Sequence, residues 1–96
     1  MFVIRNVFKC KPGRATFVID KLQHSMALPG MGSHRILVDH IAEFWTVVLE
    51  TEVENMAEFE DQLRRYGERT DVREAMSGYL DGVESGYREV FRVVGK

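Results

Sequence analysis

Few side chains in this 96-residue sequence combine a reactive type with a setting that would use it, and Asn6 comes first. It lies in Phe2-Val3-Ile4-Arg5-Asn6-Val7-Phe8-Lys9-Cys10, where the alternate positions on its own side are Phe2, Ile4, Phe8 and Cys10. A buried amide costs free energy unless its donors and acceptors are paired. Two readings follow: a hydrogen-bonding group turned toward a substrate, or a structural amide bonded to backbone or to a second subunit. His40 closes a run whose same-side members are Ile36 and Val38. Imidazole suits proton transfer near neutral pH, and a histidine beside a turn is equally at home in solvent. Trp45 offers either a pocket wall or core area. Tyr66 places a phenol tip on a helical apolar stripe that is otherwise ordinary core. Asn6 and His40 are therefore the catalytic candidates, and Trp45 and Tyr66 the substrate-binding ones.

The remaining reactive groups are read as structural or solvated. His24 falls in a helical stretch and His34 in a Gly/Ser loop, so both are expected to be exposed. The three histidines and the single cysteine, Cys10, show no metal-ligand spacing, so no metal is expected. Gly30-Met31-Gly32 follows a helix rather than a strand and lacks the spacing of a phosphate loop, so no nucleotide cofactor is expected. A formal net charge of -2 argues against a nucleic-acid partner, which would call for a basic face. No apolar run approaches the roughly 20 residues of a membrane span. Arg5 interrupts the opening apolar run too early for a signal peptide. With one cysteine, no disulfide can form within the chain, which suits a reducing, cytoplasmic setting.

These residues must be positioned by a small number of elements. Val, Ile and Phe dominate Phe2 to Lys11, and Pro12-Gly13 stops that strand. From Ala15 the period becomes helical, with Ala15, Val18, Leu22 and Met26 on one stripe, until Pro29-Gly30. Arg35 to Ile41 and Phe44 to Val53 read as two strands of a hairpin, with Ala42-Glu43 as a weak turn. Asn55 and Glu58 form a capping box for a helix carrying Met56, Phe59, Leu63 and Tyr66. Gly67 is expected to end it. Asp71 and Glu74 open a shorter helix that lines up Val72, Met76, Tyr79, Leu80 and Val83. Tyr87 to Val94 is the last strand.

The order strand, helix, strand, strand, broken helix, strand spans residues 1–96 as one domain without linker or repeat. It predicts an α+β, ferredoxin-like βαββαβ fold: a four-stranded antiparallel sheet with its helices on one face. The other face then has to be covered or wetted. Both sides of the Phe44–Val53 strand carry large apolar groups, and burying each is worth roughly 1.5–3 kcal/mol. A second copy packed sheet against sheet would cover them, so a homodimer is expected. The competing reading is that Arg5, Lys9, Asp39, Glu50 and Arg92 make one face polar enough alone.

Three stretches carry a family resemblance: Lys11-Pro12-Gly13-Arg14 between first strand and helix, Phe44-Trp45-Thr46-Val47-Val48-Leu49-Glu50-Thr51-Glu52-Val53-Glu54-Asn55-Met56-Ala57-Glu58-Phe59-Glu60, and Ser85-Gly86-Tyr87-Arg88-Glu89-Val90-Phe91-Arg92-Val93-Val94. With the element order, the chain resembles the dimeric α/β-barrel superfamily, and within it NIPSNAP-like and antibiotic-biosynthesis-monooxygenase-like domains. The resemblance implies two sheets closing one intermolecular barrel, helices outside, and a small-molecule pocket between sheet and helices of each subunit. Some such enzymes oxidise polycyclic aromatics without metal or flavin, and others are isomerases. Haem-degrading members use an Asn on the first strand, a Trp, and a His on the second helix. Asn6 and Trp45 match the first two by position, but no histidine follows His40, so haem degradation is disfavoured. The implied function is binding of a small apolar or aromatic molecule, with cofactor-independent monooxygenase-like or isomerase-like turnover. The alternative is a non-catalytic NIPSNAP-like binding or assembly module. Fold alone does not choose between them.

Overall fold

Alternating Val, Ile and Phe give the first strand, β1 (Phe2–Cys10). The computed structural model describes residues 1–95. Helix α1 (Ala15–Met26) follows, then strands β2 (Arg35–Val38) and β3 (Thr46–Val53), helices α2 (Met56–Glu68) and α3 (Thr70–Ala75), a 3₁₀ turn at Tyr79–Gly82, and strand β4 (Val83–Arg92). The strands form one antiparallel sheet in the order β2-β3-β1-β4. The expected α+β, ferredoxin-like βαββαβ architecture is thus the observed one.

The helices cover one face. Val18 and Leu22 of α1 meet Cys10, Val47 and Leu49, while Phe59 of α2 meets Ile4 and Val53. These strand residues share a face because Ile4, Asn6 and Phe8 stand opposite Thr51, Leu49 and Val47. The Asn55 cap forms as read, with Asn55 Oδ1 accepting from the Glu58 N–H at 2.9 Å, while Glu58 Oε2 accepts at 3.0 Å from the N–H of Glu54, one residue before the cap, rather than from that of Asn55.

The open face carries a row of charge in register across all four strands. Arg35 on β2 stands opposite Glu50 on β3, Glu50 opposite Arg5 on β1, and Arg5 opposite Glu89 on β4. Arg35 hydrogen-bonds to Glu50. Arg5 lies 3.7 Å from the carboxylates of both Glu50 and Glu89, ion pairs too long for hydrogen bonds. Leu37, Val48, Val7, Tyr87 and Phe91 share this face with the row.

Boundaries differ from the expected ones: the helix read from Val72 to Val83 stops at Ala75 and gives way to the 3₁₀ turn, β4 stops at Arg92 rather than Val94, and three further departures reshape the surroundings of the site. The β2–β3 hairpin ends at the Val38–Val47 pair, so residues 39–45 form a loop where strand was expected at both ends. Asp39 closes the ladder: its N–H donates to the Thr46 carbonyl at 3.1 Å, and its Oδ1 accepts from the Thr46 N–H at 3.2 Å. Trp45 then takes a left-handed backbone, with φ of 64°, which breaks the extended run. The second departure is that α2 runs through Gly67, and the break falls at Arg69, whose extended backbone joins α2 to α3. The guanidinium of Arg69 bonds both the Asp71 carboxylate and the Pro29 carbonyl, which fixes the kink. Third, β4 starts at Val83 rather than Tyr87: Gly86 and Ser85 continue the ladder opposite Phe8 and Lys9, and a bulge at Lys9/Cys10 then pairs Cys10 with Val83. Gly82 sits just before it, where a Cβ would come within 2.9 Å of the Phe17 ring, so the turn can press on α1.

Candidate functional site

The register of β1 puts Asn6 between Leu49 on one side and Arg88 on the other, all on the helix-covered face. Arg88 Nε donates to Asn6 Oδ1 at 2.7 Å. Its guanidinium carbon also lies 5.3 Å from the centre of the Phe59 ring, a cation–π distance that fixes its direction. The Asn6 carbonyl is thereby occupied, and its Nδ2 has no partner among the described residues.

Asn6 and Arg88 belong to the lining of a cavity of about 690 Å³ between the sheet, α1 and the α2–α3 pair. That volume lies in the ~300–1,000 Å³ range of small-molecule sites. Leu22, Met26, Leu49 and Met76 supply much of its apolar wall. Phe8 and Tyr79 meet edge to face at one end, with ring centres 6.1 Å apart. Tyr66 lines the cavity from α2, and its hydroxyl donates to the Met31 carbonyl at 2.8 Å, which ties α2 to the loop after α1. Ser25 of α1 is fully buried at the cavity wall, and its Oγ has no hydrogen-bond partner among the described residues. The lining described here contains no Asp, Glu or His.

The structure therefore brings two of the four sequence candidates, Asn6 and Tyr66, to one cavity. It places the other two elsewhere. His40 is exposed in the 39–45 loop. Trp45 sits at the far end of β1, over a separate hollow with Lys9, Cys10 and Pro12. Arg88 and Ser25 are the site residues that sequence reasoning missed. An arginine alternating with Val90 on a core-facing strand was the available signal for Arg88; Ser25 gave none.

His34 was expected to be exposed and is half-buried instead, its ring centre 6.3 Å from that of Tyr66. Burial holds its imidazole below the ordinary value, opposed in part by the nearby Gly32 backbone. It borders a second hollow of about 580 Å³ that Glu50, Glu52, Glu54 and Glu58 make polar. Cys10 is buried, and burial pushes its thiol up, with Asp39 adding to the shift. It is not an activated nucleophile. Among the described residues no group of His, Cys, Asp and Glu has the geometry of a metal site.

Compared with known proteins, the sequence matches no family model and no curated relative. Solved structures do match. A NIPSNAP family protein from Agrobacterium tumefaciens superposes with a TM-score of 0.85 at 10% identity, over 98% of this chain and 93% of that one. A NIPSNAP domain protein from Burkholderia xenovorans gives 0.81 at 12% identity, over 99% and 96%. A putative antibiotic biosynthesis monooxygenase from Chloroflexus aurantiacus gives 0.70 at 13% identity, over 99% and 94%. The chain shares the fold of these NIPSNAP and antibiotic biosynthesis monooxygenase structures. At these identities the likeness is one of architecture.

Proposed function

We propose that the protein is a homodimer in which each subunit binds a small, largely apolar molecule in the cavity between sheet and helices. The observation that carries this is Asn6. It is the polar residue of an otherwise apolar strand face, it borders a cavity of about 690 Å³, and Arg88 holds its carbonyl so that Nδ2 remains to meet a ligand oxygen. The fold of the dimeric barrels supports the pairing. So do Tyr87 and Phe91, exposed on the open sheet face, and Ile41 and Phe44, which are 91% and 81% exposed in the adjoining loop. Among the described residues no helix is long and apolar enough to cross a membrane; the cytoplasm is the location we propose for the dimer.

Turnover, in this reading, is cofactor-independent monooxygenase-like or isomerase-like chemistry on an aromatic substrate. With no carboxylate or imidazole in the described lining, the protein's part is to orient the substrate and stabilise charge on its oxygen, and the substrate's own ionisation supplies the reactivity. His40, in its exposed loop, has no part in this arrangement. A non-catalytic binding module shares the same cavity and differs only in lacking turnover.

The test is calorimetric titration with a panel of two- and three-ring aromatics, with oxygen uptake followed in parallel and the mass measured by sedimentation. Asn6→Ala should weaken binding about tenfold, the worth of one well-placed hydrogen bond. Unchanged binding and turnover in that variant would remove Asn6 from the site. A lone folded subunit at high concentration would remove the dimer.

A further inference from the structure

We infer that the cavity's ligand is an anion: an apolar body, of aromatic or short aliphatic kind, bearing one carboxylate or comparable oxyanion that sits on Arg88 and the Asn6 amide. This rests on the ligand-binding reading above and adds the charge of the ligand to it.

Five of the other arginines meet carboxylates. Arg5 and Arg35 meet Glu50 and Glu89 across the open face, Arg64 and Arg65 meet Asp61, and Arg69 meets Asp71. Arg88 meets none of these. Among the described residues its partners are a neutral amide and an aromatic ring. Arg73, which also lines the cavity, bonds only the Gly67 carbonyl, at 3.3 Å. Arg14 and Arg92 lack carboxylates too, but neither lines this cavity. The charged groups of the described lining are therefore Arg73 and Arg88, both cationic, in a chain whose net charge is negative.

Hydrogen-bonding polarity points the same way. Arg88 uses Nε on Asn6 and keeps its terminal nitrogens, which can donate in parallel to a carboxylate. Asn6 has its acceptor engaged and its Nδ2 donor open. Two donor groups thus lie side by side in register on neighbouring strands, beside an apolar wall, with Arg88 itself exposed on the edge strand. A neutral apolar ligand would leave the Arg88 charge uncompensated as it displaced solvent, and a cation would add repulsion. An anion meets both requirements and replaces lost hydration by charge-assisted hydrogen bonds.

The experiment compares three probes of one shape: 2-naphthoate, its neutral methyl ester, and 2-naphthylmethylammonium, each titrated calorimetrically into the full chain. Naphthoate should bind at least about tenfold more tightly than the ester, with the ammonium weakest. Arg88→Gln should bring naphthoate and ester to within about twofold of each other, and Arg73→Gln should lower the preference by less. Circular dichroism and melting of both variants confirm that the fold persists. Equal or tighter binding of the ester or the ammonium to the wild type overturns the anion assignment and leaves the ligand cavity standing. Failure of all three probes to bind overturns the ligand-binding reading, and the anion with it. An anion preference that survives in both variants overturns the roles given to the two arginines.

Discussion

The same four strands build two faces that treat arginine in opposite ways. On the open face, Arg35 and Arg5 are interleaved with Glu50 and Glu89, and each guanidinium lies against a carboxylate in register. On the helix-covered face, Arg88 sits in the next strand position of β4 and is met by an amide and a ring. The difference is not one of composition, since the strands are shared. It lies in which partners the register supplies. A row of matched charges is a structural device, because its field cancels locally. A cation without a carboxylate beside an apolar hollow projects its field into the space where a ligand would lie.

That contrast can be broken by experiment. Its largest expected consequence is at Glu50, whose side chain is 12% exposed and serves two arginines at once. Glu50→Ala should cost about 1–3 kcal/mol in urea unfolding, because Arg5 loses one of its two carboxylates while remaining half-buried. An unchanged midpoint would show that the row contributes nothing. Arg88→Gln should behave differently and change stability by less than about 0.5 kcal/mol, since Arg88 is exposed on the edge strand and the Asn6 amide it leaves is only partly buried. A loss as large as that of Glu50→Ala would erase the distinction between the two faces.

The smallest effect is a pH slope. Burial keeps the His34 imidazole below its ordinary value of 6.5 in the folded chain, so the folded state favours the neutral ring. Above about pH 6.5 that ring is neutral in both states and the preference costs nothing. As pH falls below 6.5 the unfolded chain takes up the proton first, and stability declines until the folded ring protonates as well. His34→Gln should flatten this decline between pH 7 and 5.5. A variant with the wild-type slope would assign the decline to other groups.

Much of the architecture was legible because it rests on local signals. The Asn55–Glu58 cap, the stripe Ala15, Val18, Leu22 and Met26, and the oddity of Asn6 all lie within a turn or two of sequence. The 39–45 loop was illegible for a definite reason. Ile41, Phe44 and Trp45 are strand-formers by type, and alternation cannot show that the Asp39 carboxylate closes the ladder or that Trp45 turns left-handed. Arg88 could not be joined to Asn6 without the β1–β4 register, which spans 82 positions. His34 was misread because its burial comes from Tyr66 and its neighbourhood, more than 30 positions away. The helix break moved from Gly67 to Arg69 because a side-chain fork to Asp71 and Pro29 outweighed the weak helix propensity of glycine.

The row Arg35, Glu50, Arg5, Glu89 has an even number of members and alternates in sign, so reversing it yields its own complement. A second copy turned about an axis parallel to the strands and centred on that row sets every plus against a minus. A copy turned about an axis along the row sets like against like. For two identical surfaces brought together, the four side chains would therefore favour a twofold axis parallel to the strands over one along the row.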